Sequence, residues 1–377
     1  MDLEFTQEQT LLADSAARFL EDNYDLPQRR ERVASELGFS SKLWGEMAEL
    51  GWLGLRLPER FGGFDAGAVE SALIMEAVGK SIAVEPILST GITGAIAISL
   101  GADDALGEKL GANVVSGECR LALAQAEPRS RYALNRVETS ATADGNNYRV
   151  NGQKAVVLHA PSAHKLIVST RTSGATADAD GITLLLVDAK ADGVTLRSYP
   201  TIDGLQAAEI TLDNVVAEAV LGEVGGGGAL LQNIIDETQV ALSAEAIGAM
   251  SYLLDATVEY AKTRKQFERT IGSFQVIQHR LVDMYTALET ARAMTYIAAA
   301  GLANEDPAER QRLAATAKLK ASQAAKLVGE DAVQIHGGMG MTDELDIGHY
   351  FKRITMIAQT FGDTDYQLKT LAKLARR

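Results

Sequence analysis

The chain has 377 residues, 46% hydrophobic and 23% charged, an ordinary mixture for a globular protein with enough core for two or three domains. A formal net charge of −14 excludes a general nucleic-acid binder, because phosphate contacts need a cationic surface. The single cysteine, Cys119, excludes an internal disulfide framework and a cysteine metal cage; it reads as a buried or incidental thiol in a reducing cytoplasm.

The opening "MDLEFTQEQT" is acidic and lacks both a basic stretch and an apolar run, so no signal peptide is expected. No apolar run is long enough to span a bilayer, and a cytoplasmic protein is expected. Residues 1–118 have a helical grammar. Thr6 and Gln9 have the spacing of a capping box, and Leu12, Ala16, Phe19 and Leu20 then repeat on one face. "SKLWGEMAELGWLGL" predicts a second amphipathic helix ending at Gly51. "PERFGGFDAG" is loop chemistry, and "SALIMEAVGK" a further apolar helix.

Over residues 119–225 the grammar changes to strands. "NYRVNGQKAVVL" alternates around Asn151-Gly152, a pair that predicts a hairpin turn. "KLIVSTRT", "GITLLLVDA", "VTLRSYP" and "AAEITLDNV" follow, short and β-branched, as in a small antiparallel barrel or sandwich. "GEVGGGGAL" reads as a hinge or loop with no strand before it, so it makes no nucleotide fingerprint. Long helices occupy residues 226–377: Leu281, Met284, Tyr285 and Leu288 mark one apolar face, and Leu319, Leu327 and Val328 another. The fold class is thus α+β, with an N-terminal helical domain, a central β domain and a C-terminal helical bundle.

Two C-terminal segments carry chemistry. In "YAKTRKQFERTIGSFQVIQHRLVDM", Arg264 is a fixed cation with the forked geometry for a pyrophosphate oxygen, Phe267 offers a flat apolar face, and Gln275 can donate and accept on a polar edge. In "AVQIHGGMGMTDELDIGHYFKR", Gly337 and Gly338 remove side chains where backbone would approach a dinucleotide, and Gln334 supplies an amide. These segments closely resemble the acyl-CoA dehydrogenases, and the order and lengths of the three blocks extend the resemblance over essentially the whole chain. "KAVVLHA", "TIDGLQAAEITLD" and "AEAIGAM" look like pimeloyl-CoA dehydrogenase small subunits and chains of heteromeric steroid side-chain dehydrogenases. The resemblance implies FAD as cofactor, with Arg264, Phe267, Gln275, Gln334, Ile335, Gly337 and Gly338 holding its adenosine diphosphate half across a subunit boundary. It also implies an acyl-CoA substrate, a four-helix C-terminal bundle, and an electron-transfer flavoprotein as acceptor.

Elsewhere the chain departs from that family. "QAEPRSRYAL" keeps Glu127 and Pro128 of the family's flavin-contacting run, but Arg129, Ser130 and Arg131 replace its glycine-rich turn. A second flavin segment, which usually bears tryptophan and a hydroxyl, reads Val156-Val157-Leu158. The reaction takes an α-proton from an acyl thioester, so a carboxylate must reach the α-carbon. Most members carry that glutamate near the C-terminus, where this chain has Phe361-Gly362, and Asp363 comes one step late with a shorter side chain. A minority carry it at a position matching Thr238; Glu237 beside it points ~100° away around the helix. Glu245 remains, seven residues past Thr238 and roughly 10 Å further along a helix, among alanines. It is either the base or a structural glutamate paired with an arginine or backbone amides.

Asp236 is a candidate substrate contact by the same resemblance, and Lys352 and Arg353 read as a solvated helix face. The five histidines have no ligand spacing, so no metal is expected. Two readings follow. One is a self-sufficient homotetrameric dehydrogenase using Glu245. The other, favoured by the altered β block, is the small chain of an α2β2 heteromer whose larger homologue carries the flavin seat and the base.

Overall fold

The computed structural model describes residues 5–145 and 147–376. Helices α1 (Gln7–Asn23), α2 (Leu26–Ala34), α3 (Ser41–Glu49), α4 (Ala68–Ser81), α5 (Ala95–Gly101) and α6 (Asp104–Val115) come first. Eight strands follow: β1 (Leu121–Ala124), β2 (Ser140–Asp144), β3 (Asn147–Leu158), β4 (Lys165–Arg171), β5 (Ile182–Asp188), β6 (Val194–Pro200), β7 (Gln206–Val216) and β8 (Ala219–Leu221). Then come α7 (Gly227–Thr263), the two-residue strands β9 (Lys265–Gln266) and β10 (Arg269–Thr270), α8 (Gln275–Gly301), α9 (Pro307–His336), α10 (Ile347–Gln359) and α11 (Thr364–Leu374). The expected order of helices, sheet and helices is the observed one. The Thr6–Gln9 capping box is present in both directions, at 3.2 and 3.0 Å, and α3 stops before a left-handed Gly51.

Packing divides the chain into two compact units. One comprises Met1–Arg30, Ala68–Ala83 and Gln239–Arg377; the other comprises Glu31–Gly67 and Val84–Thr238. In the second unit the strands run in the order β6-β7-β3-β2-β4-β5-β8, with β1 beside β4. Val150, Leu166, Val168, Leu185, Val187 and Ile210 are among the apolar side chains that fill its core. The sheet is not wholly antiparallel, as the strand grammar suggested. β1 lies parallel to β4, and Ser140 of β2 pairs in parallel with Arg171. The intervening hairpin β2–β3 is a connection long enough to bring β4 back in the same direction as β1.

Two turn assignments are corrected. Asn151-Gly152 lies inside β3, where Asn151 pairs with Ser140 and Gly152 with Leu212 across a register shift. A Cβ on Gly152 would fall 2.5 Å from Thr139 Oγ1, so this glycine serves close approach at a bulge, not a turn. The pairing of β2 with β3 runs instead from Asp144 with Asn147 to Ser140 with Asn151. The four-glycine stretch does follow a strand, the short β8, and α7 starts within it at Gly227. Pattern reading also missed a wholly buried π-helical turn, Ile87–Gly94. Its Thr90 hydroxyl accepts from Leu121 N at 3.0 Å, tying the turn to β1.

In the first unit α4 and α7 meet backbone to backbone. A Cβ on Gly79 would lie 1.8 Å from Glu245 O, and one on Gly248 the same distance from Glu76 O. Met284, Leu288, Leu319 and Val328 are buried as expected, but Tyr285 and Leu327 face solvent. No helix among the described residues is long and apolar enough to cross a membrane.

Candidate functional site

The dinucleotide candidates all belong to the first unit. Helix α7 ends where the Thr263 hydroxyl turns back to Glu259 O and Tyr260 O, at 3.1 and 3.2 Å. Beyond it β9 and β10 form a minimal hairpin whose central residues, Phe267 and Glu268, have φ of 53° and 66°. Such turns favour glycine or asparagine, so this backbone is held in a costly conformation. The result projects Phe267, 85% exposed. Arg269 braces the hairpin from inside, its guanidinium 3.9 Å from the Phe274 ring centroid. Phe274 then leads into α8, and Gln275 is its first residue.

The end of α9 is brought to the same place by stacking. Tyr260 and His336 lie with ring centroids 4.3 Å apart, so the last turns of α7 and α9 are neighbours. Gly337 ends α9 at φ 62°, a conformation that only glycine adopts freely. Gly337 and Gly338 are exposed, and a Cβ on either would meet nothing within 4 Å. Arg264, Gln275 and Gln334 are exposed too, and among the described residues none has a side-chain partner. Ile335 differs: its side chain turns into the core, leaving only backbone for a ligand. Unengaged donors beside open glycine backbone suit the diphosphate half of a dinucleotide.

The carboxylate candidates behave in the opposite way. Glu245 is 1% exposed and Arg353 5%, and the two are locked in a fork, Nε to Oε1 at 2.6 Å and Nη2 to Oε2 at 2.8 Å. Arg353 is therefore no solvated face residue. Both oxygens of Glu245 accept from a permanently charged guanidinium and the side chain is buried, the arrangement of a structural ion pair. Asp363 caps α11, its Oδ1 accepting from Tyr366 N at 2.9 Å. Gly362 has φ 116°, and a Cβ there would sit 2.5 Å from Gln367 Nε2 and 2.6 Å from the Tyr366 ring, so a side chain would strain the backbone and displace both neighbours.

In the second unit Thr238 is wholly buried, its hydroxyl donating to Ile234 O at 2.7 Å and lying 3.1 Å from Thr93 Oγ1. Glu237 points elsewhere and is paired with Arg56. Asp236 is buried and accepts from Gln232 Nε2 at 2.8 Å.

The retained Glu127 has a structural post in the sheet. It accepts from Lys154 Nζ at 2.7 Å, from Glu138 N at 2.6 Å and from Thr139 N at 3.0 Å. Burial pushes its carboxyl up, but the Lys154 charge and these hydrogen bonds outweigh that and hold it below the usual range. Lys154 is pushed down to about 8 by burial, with Glu127 working against the shift. Cys119 is likewise pushed up to about 11 by burial, which makes it an inert thiol.

Around that post Arg129 and Arg131 are exposed, Arg131 at φ 49°. Val156 sits on a bulge at φ 50°, half exposed, where the resemblance leads one to expect an aromatic ring. A flat tricyclic ring finds neither stacking partner nor hydroxyl at 156–158. The exposed donors and glycine backbone at 264–338 suit the nucleotide half of FAD. Among the described residues no group of three or more His, Cys, Asp or Glu is placed to hold a metal.

The comparisons agree along the whole length. The acyl-CoA dehydrogenase N-terminal, middle and C-terminal domain descriptions match residues 6–118, 122–215 and 225–375. The 3-(aryl)acrylate reductase of Clostridium sporogenes is 30% identical, with 98% of each chain covered. A variant of the steroid ACAD Tcur3481–Tcur3483 is similar in structure with TM-score 0.90 at 30% identity, covering 98% of each chain. The ChsE4–ChsE5 complex of Mycobacterium tuberculosis gives TM-score 0.90 at 25% identity, covering 100% of this chain and 99% of that one.

Proposed function

This chain belongs to the acyl-CoA dehydrogenase family, FAD-dependent oxidoreductases of the acyl-CoA CH–CH bond, and we propose that it serves there as the small chain of a heteromer. The observation that carries the reading is a contrast within one unit. Glu245 is locked to Arg353 and residue 362 is a glycine without a carboxylate, while Arg264, Gln275 and Gln334 stand bare at the surface. A larger homologous chain would supply the carboxylate and seat the flavin ring. FAD, when bound, supplies the acceptor for the hydride.

This chain's own part is to bind. Arg264 would clamp a pyrophosphate oxygen, and Phe267 would cover the nucleotide's apolar side. Gln275 and Gln334 would donate to its polar edge, and the backbone from Ile335 through Gly337 and Gly338 would let it approach closely. Asp236, buried and accepting from Gln232 Nε2, would be the contact to the acyl-CoA substrate. The electron-transfer flavoprotein stands as the acceptor of the assembled enzyme. The ChsE4–ChsE5 neighbour, itself a complex, supports a two-chain arrangement. The homotetrameric alternative needs Glu245 as base, and the Arg353 fork speaks against it.

Flavin content tests the proposal. The chain purified alone should carry little FAD, and the chain co-purified with its larger homologue should carry it stoichiometrically. Stoichiometric FAD on the isolated chain would end the small-chain reading.

A further inference from the structure

Helix α9 carries a lysine, Lys318, with no solvent exposure at all. Its Nζ lies 3.1 Å from Gly362 O, 3.3 Å from Ala358 O and 3.4 Å from Ser322 Oγ. The two carbonyls belong to the end of α10 and to the turn after it, where helix carbonyls lack partners of their own. From another side Gln239 Nε2 and Gln367 Nε2 donate to Phe361 O at 2.7 and 3.3 Å. Consecutive carbonyls of the turn are thus held by side chains from three helices. Both turn residues need that hold, since Phe361 and Gly362 have φ of 55° and 116°.

Full burial with no carboxylate in hydrogen-bond reach disfavours the charged amine. When neutral, its two N–H donors serve the two carbonyls, and Ser322 Oγ lies at the longest of the three distances. No carboxylate touches the nitrogen. Asp363, the one charge that acts on it through space, is engaged in capping α11. On α9 itself the facing group is Ser322, on α10 the Ala358 carbonyl, and the charged pair of α7 and α10, Glu245–Arg353, is closed on itself. Burial pushes Lys318 down to about 7, with Asp363 working against the shift.

We propose that Lys318 is a proton latch on the Phe361–Gly362 turn, which closes over the neutral amine and loosens when the amine is charged. The sign follows from linkage. When the turn opens, Lys318 reaches water and takes up a proton readily, so acid favours opening and rising pH favours closure. The latch acts on the segment in which most relatives carry their reacting carboxylate. It holds whichever chain seats the flavin, so it stands apart from the small-chain reading.

Amide hydrogen exchange of the intact chain tests it, read on fragment 357–367 and corrected for intrinsic exchange. Protection should be low and flat below pH 7 and rise by up to about tenfold per pH unit from 7 to 9, as expected for one linked proton. A fragment of α7 within 240–250 serves as the reference for global opening. Lys318→Met should abolish the rise. Ser322→Ala, a milder change, should move its onset to lower pH by removing an acceptor that serves the charged amine better than the neutral one. Flat protection in the unsubstituted chain, an equal rise in α7, or a rise that survives Lys318→Met would each overturn the latch.

Discussion

The hairpin after α7 and the Glu245–Arg353 pair lie in the same unit and carry similar charged and polar side chains, yet they are built on opposite terms. At the hairpin the backbone bears the cost, two left-handed non-glycine residues, and the flanking Arg264 and Gln275 side chains are left without partners among the described residues. At the pair the helical backbone is relaxed and the side chains are fully engaged. A polar group without a partner is cheap only in water or against a ligand, whereas a buried charge is tolerable only when matched. The first arrangement is that of a surface waiting for something outside the chain; the second is that of an internal brace.

The largest expected effect breaks the brace. Arg353→Met strands a buried carboxylate and should destabilise the chain by about 3–5 kcal/mol in chemical denaturation. Adding Glu245→Leu should recover most of that loss, and the double variant should still support turnover in the assembled enzyme. Loss of turnover in a folded double variant would instead return Glu245 to the catalytic role.

A smaller effect sharpens the other side. Glu268→Gly relieves one left-handed residue and should raise stability by about 1 kcal/mol, read as a shift in denaturation midpoint. Smallest on stability is Arg264→Ala, expected within about 0.5 kcal/mol of the unsubstituted chain because the side chain is exposed and unpaired. It should nevertheless lower FAD retention in the assembly. A clear loss of stability there would mean that Arg264 braces the fold.

The hairpin was legible because its parts are neighbours in sequence. Arg264, Phe267 and Gln275 lie within one short stretch, and Gln334 to Gly338 within another, so type and spacing were enough to single them out. The brace was only half legible. Glu245 was marked as a carboxylate among alanines with an arginine as one possible partner, but Arg353 read as solvent-facing because Lys352 beside it is ordinary surface chemistry. Their pairing spans 108 residues, and no local pattern encodes it. Tyr285 fell on the predicted apolar face and turned out exposed, since periodicity marks a stripe without saying how much of it a neighbour covers.

The sequence by itself determined the family, the succession of helices, strands and helices, and which groups are candidates for a dinucleotide. Each of these rests on short-range periodicity or on motifs read along one segment. Tertiary structure decided which charges are spent. It closed Glu245 on Arg353, set Asp363 to cap a helix and buried Lys318 beneath the turn. Those outcomes depend on which distant helices meet and exclude water, and desolvation is a property of the packed molecule that no single stretch of chain carries.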